Sequence, residues 1–224
     1  MAFKRAPAEH NIVITQAKPA DARIASRLIY RAMGRVADFL FGFGSSSLAI
    51  RILERLFARN GNRFSYQYTR VAKTLNGDIA GLVLSYPCSE TISLYVTMAR
   101  QLLPLYGVLG SFLFLWHTLL YVLSVFSPGQ SMTCRSDEYY ISTLAVLPEF
   151  EGRGIGTMLL AHAEDRAKRD GFSKCSLGVD IENERAIRLY KRLGYKQVAT
   201  IRVKCLSNRI GSKGFYRMVK SLRD

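Results

Sequence analysis

The chain has 224 residues, 49% of them hydrophobic, and carries a formal net charge of +15 from 32 Lys and Arg against 17 Asp and Glu. That length and apolar content exclude a disordered chain and allow one sizeable domain, or one domain plus an insertion. The charge draws in polyanions (coenzyme phosphates, nucleic acid or an anionic membrane face), and residues 185–223 contain many Lys and Arg with no Asp or Glu. No RNP-type aromatic motif, GXXG clamp or zinc knuckle supports RNA binding.

Residues 1–10 are basic and polar with no apolar core, which argues against a cleaved secretory signal. Residues 11–15 alternate as a strand. Pro19-Ala-Asp21 opens a helix to about residue 35, with Asp21 suited to its first turn. Ser45–Ser47 can cap a second helix over 48–59, whose Leu48, Ile52, Leu53 and Leu56 share a face and which Asn60-Gly61 ends. Residues 68–75 and 79–86 are β-rich runs around Asn76-Gly77-Asp78, a hairpin signal.

Residues 101–133 hold no charged side chain, and the centre of this run, 105–126, qualifies by length and hydropathy as a transmembrane candidate. Beyond it, 139–147 is nearly all apolar and reads as a central strand. A helix over 154–169 ends at Gly171, 175–180 is a strand, and a helix over 183–193 ends at Gly194. Residues 197–204 and 215–221 read as two closing strands. Alternating strands and helices make a layered α/β or α+β domain. Cys88, Cys134, Cys175 and Cys205 form no C-x-x-C pair, which favours reduced thiols in an intracellular protein over a disulfide framework or metal site.

Two motifs carry chemistry. Gly152, Gly154 and Gly156 alternate directly into a helix, so bare backbone meets the unpaired N–H groups of a helix start, a ready anion site. The spacing is neither a P-loop nor a dinucleotide fingerprint. Asn183 and Tyr190 are seven residues apart and share one face of the next helix, two turns apart. Singly, Asn183 is explained as a cap and Tyr190 as a core aromatic.

Taken together, Val146-Leu147-Pro148, the three glycines, and Asn183…Tyr190…Leu193-Gly194-Tyr195 resemble the GCN5-related N-acetyltransferase (GNAT) superfamily from about residue 139 to 202. Ala17-x-Pro19-x-Asp21 and residues 76–81 support the likeness more loosely. The resemblance implies a mixed, mostly antiparallel sheet flanked by helices, with the hydrophobic helical run, residues 91–133, inserted between strands 3 and 4 of a single 1–224 domain. It also implies acetyl-CoA as co-substrate, with no metal. Main-chain groups around Arg153, Gly154, Gly156 and Thr157 would hold the pyrophosphate, and those of Leu144 and Val146 would hold the pantetheine arm and polarise the thioester carbonyl. Asn183 would contact the coenzyme, and Tyr190 would give a proton to the departing thiolate.

A lysine-like acceptor has a pKa of about 10.4, so neutral pH disfavours its reactive form by roughly 4–5 kcal/mol. A base or a proton-relaying water is therefore expected near the start of the central strand, with Glu138 the first candidate and Asp137 the second. No Cys has a His-paired motif, so direct transfer is expected. One residue departs from the family: Glu151 stands where Arg or Gln is usual, and a carboxylate repels a pyrophosphate unless Arg153, Arg185 and Arg188 compensate.

A single membrane crossing by the apolar run would put strands 3 and 4 on opposite sides of a bilayer and sever the sheet. Pro104, Gly107 and Gly110 divide the run into 92–103 and 111–126. Sixteen helical residues cover about 24 Å, short of a roughly 30 Å hydrocarbon core. The expectation is a helical pair that dips into one leaflet or packs on a hydrophobic membrane partner, giving a cytoplasmic protein peripherally held at a membrane; the alternative is a soluble protein whose insertion covers its own sheet or forms a dimer core. His117 reads as a packed or interfacial histidine.

The resulting expectation is an N-acetyltransferase acting on a primary amine of a small molecule or protein, possible as a homo-oligomer. Two alternatives stand: a non-catalytic assembly subunit of a membrane complex, favoured by Glu151, and a long-chain acyltransferase whose tail shelters in the insertion.

Overall fold

The computed structural model describes residues 12–125, 135–203 and 206–223. Seven strands form one sheet: β1 (Val13–Gln16), β2 (Thr69–Lys73), β3 (Ile79–Pro87), β4 (Glu138–Val146), β5 (Lys174–Asp180), β6 (Lys196–Arg202) and β7 (Gly214–Ser221). They lie in the order β1-β2-β3-β4-β5-β7-β6. β4 and β5 run parallel and the other neighbours antiparallel. This is the expected mixed sheet, and β2–β3 close through the Asn76-Gly77-Asp78 turn, with Gly77 at φ +86°.

Seven helices are described: α1 (Ala22–Met33), α2 (Arg35–Phe41), α3 (Ser46–Phe57), α4 (Thr91–Val125), α5 (Ile155–Arg169), α6 (Glu184–Arg192) and α7 (Ser207–Ile210). The first predicted helix stops early because Gly34 has φ +55°, and α2 then leaves in a new direction. Neither α2 nor α7 was anticipated. Both are short, and α7 has four residues that pack Ile210 beside Phe39 of α2, so tertiary contact rather than propensity holds it.

Two cores lie on the two faces of the sheet. On one, α1 and α3 bury Ala25, Leu28, Ile29, Leu53 and Leu56 against Leu82, Leu84 and Ala145. On the other, α5 buries Ile155, Leu159 and Leu160 against Val83, Tyr139 and Ile141, with Leu144 and Val146 packed alongside. Alternation along β3 and β4 divides the side chains between the faces, and a bulge in each strand shifts its phase once.

α4 follows β3, where the hydrophobic insertion was expected, and breaks at Gly107 (φ +68°, ψ −172°), three residues after Pro104. Both β3 and β4, which flank it, pair in the same sheet, so the chain does not cross a bilayer once between them. The first arm buries Leu94, Met98 and Leu102 in the core. The second buries Phe114 in the same core and packs Leu120 and Tyr121 beside Phe39, but its other side is apolar and open. Ser111, His117 and Ser124 face the protein, His117 stacking on Phe39 at 4.6 Å and bonding its carbonyl through Nδ1 at 2.7 Å. The outward side shows Val108, Leu109, Phe112, Leu115, Trp116 and Leu119, with Val108 93% exposed.

Segments 126–134 and 204–205 lie outside the described residues, and with them the end of the predicted insertion, Cys134 and Cys205. The expectation of reduced thiols needs correction at Cys88, which is disulfide-bonded. Wide spacing in sequence does not report separation in the fold. Cys175 is free and buried in β5, and burial pushes its thiol up to about 12.

Candidate active site

β4 and β5 pair only from Glu138↔Lys174 to Ile141↔Leu177 and then separate. At that point β4 carries a bulge: Leu84 faces Thr143 but Ser85 faces Ile141, leaving Ser142 as the extra residue. Past the bulge, β4 keeps its bonds to β3. The N–H of Leu147 donates to the carbonyl of Ala80 at 2.8 Å. Antiparallel alternation then turns the main-chain groups of Ala145 and Thr143 toward β3 and those of Leu144 and Val146 into the gap.

The head of α5 closes the gap from one side. Gly154 caps it with φ +80°, a conformation in which a Cβ is strained, and the first helical bond runs from Met158 N–H to the Gly154 carbonyl at 3.1 Å. The N–H groups of Ile155, Gly156 and Thr157 therefore lack helical acceptors and point outward beside the dipole's positive end. A Cβ on Gly156 would meet Leu189, Val146 and Leu144 at 3.8–4.0 Å, so a larger side chain there would fill the space between β4 and α6.

These elements enclose a cleft of about 730 Å³. Among the residues lining it are Leu144, Val146, Gly154, Gly156, Thr157, Asn183 and Tyr190, so the sequence candidates from three separate segments meet in one place. Asn183 caps α6, its Oδ1 accepting from Ala186 N–H at 3.1 Å, which leaves its Nδ2 donors for the cleft. Tyr190 is buried and packs against Tyr195 with ring centroids 5.8 Å apart. Burial pushes its phenol up to about 12, so it keeps its proton at neutral pH.

Arg153 stands between the lining residues Gly152 and Gly154, with its guanidinium 5.4 Å from the centroid of the Phe150 ring. Two expectations change. Glu138 is buried at the closed end of β4, where both carboxylate oxygens accept from Arg217 Nη2 at 2.6 Å and the Arg135 N–H adds a third bond at 3.2 Å. A carboxylate so committed, outside the cleft lining, is a structural ion pair in place of the expected base. Asp137 bonds Lys174 at 2.9 Å, and that hydrogen bond holds its carboxyl below the usual range.

Glu151 is also accounted for. It pairs with Arg31 of α1 at 3.1 Å and with Arg185 of α6, tying together the two sides of the cleft mouth. Its charge is neutralised with one cation to spare, and Arg188 and Arg192 add to the positive rim. No local pattern marks Arg31, which reaches Glu151 from 120 positions away.

Comparison with known proteins agrees with this geometry. A family model described as acetyltransferase (GNAT) family matches residues 71–195, more than half of the chain. The chain belongs to that family. It is 39% identical over 82 residues to an uncharacterized N-acetyltransferase of Methanocaldococcus jannaschii, covering 37% of this chain and 31% of that protein. It is 42% identical over 66 residues to the ribosomal protein bS18 alanine N-acetyltransferase of Salmonella typhimurium, covering 30% of this chain and 44% of that one. The chain thus spans less than half the length of these curated relatives. A crystal structure of an acetyltransferase shares the fold with a TM-score of 0.68 at 23% identity, covering 94% of this chain and 100% of the other.

Proposed function

We propose that this protein moves an acetyl group from acetyl-CoA to a primary amine of a small molecule or protein, and does so while peripherally bound to a membrane. The carrying observation is the parting of β4 from β5 beside the open head of α5, with Tyr190 in the same cleft.

The cleft suits the coenzyme. Unpaired N–H groups at Ile155, Gly156 and Thr157 form a seat for a diphosphate, and the gap-facing groups of Leu144 and Val146 form a ladder edge for an amide-bearing arm. Acetyl-CoA supplies the acetyl group as a thioester. As the amine nitrogen bonds to the acetyl carbon and the C–S bond breaks, Tyr190 Oη gives its proton to the sulfur. The amine sheds its own proton to water, since Glu151, the one carboxylate among the described residues lining the cleft, is held by two arginines. Cys175, buried with a raised thiol, is unsuited to carry the acetyl group, which supports direct transfer.

Neither alternative gains support. Glu151 no longer argues for an inactive scaffold once its charge is paired. Among the described residues none of α4 lines the cleft, so that helix gives the long-acyl reading no support. Calorimetric titration with acetyl-CoA, octanoyl-CoA and palmitoyl-CoA tests all three: the proposal expects acetyl-CoA to bind and turn over with a primary amine. Absence of binding to any thioester would favour the scaffold.

Support for membrane contact comes from the second arm of α4, whose solvent side is wholly apolar at Val108, Leu109, Phe112, Leu115, Trp116 and Leu119 while Phe114 packs inward. Trp116 is the chain's single tryptophan and is half exposed on that side. Anionic phosphatidylglycerol vesicles should blue-shift its emission and co-sediment the protein, and Leu109→Asp with Phe112→Asp should abolish both effects. An unchanged spectrum and no co-sedimentation would sink the idea.

A further inference from the structure

On the opposite side of β4 from α5 lies a second cluster, built on the turn between α3 and β2. Asn62 locks that turn. Its Nδ2 donates to the Leu56 carbonyl at 2.8 Å, the Arg59 carbonyl at 3.2 Å and Gln101 Oε1 at 2.9 Å, and its Oδ1 accepts from Phe64 N–H at 2.9 Å. Asn62 and Phe64 are both fully buried, so Arg63 between them is presented from a rigid mount.

Arg63 reaches the place where β4 leaves β5. Its Nη2 donates to Oγ of Ser142, the bulge residue, at 3.1 Å, and its Nη1 donates to Oη of Tyr95 on the first arm of α4. The guanidinium carbon sits 4.7 Å from the Tyr95 ring centroid and 4.8 Å from that of Phe64. Nε is wholly enclosed and has no acceptor. Among the described residues no carboxylate pairs with this cation. Other partly enclosed cations do have one: Arg217 holds Glu138, Lys73 holds Asp21 and Lys220 holds Glu164.

A guanidinium held among aromatic faces by neutral acceptors has lost solvation without gaining a counter-charge. Of its five N–H donors two are used, leaving Nε–H and one proton on each terminal nitrogen. The pair on the terminal nitrogens matches the two oxygens of a carboxylate. The location adds the second half of the argument. Ser142, which Arg63 holds, directly follows the last β4–β5 pair, Ile141↔Leu177, so the two strands part beside this cluster. From Ser142 to Leu144, whose main chain faces the gap, is about 7 Å along a strand. Tyr95 is 41% exposed, so the cluster opens to solvent on the α4 side.

We propose that Arg63 anchors the acceptor, and that the acceptor is a small primary amine bearing a carboxylate. The carboxylate pairs with the guanidinium between Tyr95 and Ser142, and a chain of a few bonds carries the amine into the gap beside Leu144. This inference rests on the acetyltransferase reading for its chemistry, but its recognition element is independent of it.

The test uses the full chain and matched amines that differ only in the carboxylate: glycine with ethylamine, β-alanine with propylamine, and 4-aminobutyrate with butylamine. With acetyl-CoA, at least one carboxylated member should exceed its partner by about 10–100-fold in kcat/KM, the range for a hydrogen bond to a charged group. Arg63→Met should erase that preference while acetyl-CoA affinity, read by calorimetry, stays within about 3-fold. Arg63→Lys should restore part of it. Equal turnover within every pair, or an Arg63→Met loss shared by both members, overturns the proposal. If acetyl-CoA fails to bind, the acetyltransferase reading falls, and calorimetry of the three carboxylates against wild type and Arg63→Met decides the anchor alone: binding abolished by the substitution upholds it, and no binding overturns it.

Discussion

The two halves of β4 are paired differently, the first with both neighbouring strands and the second with β3 alone. Tyr139–Ile141 are paired on both sides, by β3 and by β5, and Glu138 at their head pairs with β5 and is sealed by Arg217. The segment from Thr143 to Val146 is paired on one side only, and Leu144, Ala145 and Val146 line a cleft. One inserted residue, Ser142, separates the halves. Identical backbone chemistry is consumed as structure where both edges are paired and is offered to a ligand where one is left open.

The sharpest way to break this comparison is at the closed half. Glu138→Ala leaves Arg217 buried without a counter-charge and should cost about 3–5 kcal/mol of stability, read by urea unfolding. The surviving folded protein should keep its kcat. A catalytic collapse with unaltered stability would instead return Glu138 to the role of base.

In the open half, Tyr190→Phe should lower kcat about 100-fold and leave acetyl-CoA affinity nearly unchanged. An equal loss of both would refute its role as proton donor. The pH dependence carries the same sign. Burial raises the folded phenol from 10.0 to about 12, so no basic limb in kcat should come from Tyr190 below pH 11. Its stabilising contribution is full below pH 10 and is lost as pH rises through 12, because the unfolded phenol ionises first. A basic limb near pH 10 that disappears in Tyr190→Phe would contradict the assignment.

Gly156→Leu places a side chain in the cleft between Leu189, Val146 and Leu144, and should weaken acetyl-CoA about 30-fold, or about 2 kcal/mol. Melting temperature distinguishes a filled cleft from a damaged fold, since only the latter lowers it strongly. The smallest effect belongs to Glu151→Gln. Its ion pairs with Arg31 and Arg185 are largely exposed, so stability should change by less than about 1 kcal/mol. Coenzyme affinity should shift by no more than about 3-fold, whereas a large gain on removing the carboxylate would mean that Glu151 does repel the diphosphate.

The open half was the more readable of the two. Around it, Gly152 and Gly154 are legible because positive φ before a helix start favours glycine, and Asn183 and Tyr190 because seven residues bring them to one helix face. The closed half misled: Glu138 looks like an available base in sequence, and only the fold shows Arg217, 79 positions later, bonded to it. The first helix was read as continuous through Gly34, and the order of the closing strands, with β7 between β5 and β6, had no local signal.

What the sequence determined by itself was everything with a local period or a local backbone requirement: the strands of the central sheet, the helix after the glycines, the break near Gly107 and the uncharged run before β4. Tertiary structure alone decided the pairings made across long chain separations. It set Arg31 against Glu151, Arg63 against Ser142, and the polar side of the second arm of α4 against Phe39. Such contacts depend on where distant segments come to rest on the sheet, and no spacing along the chain encodes that distance.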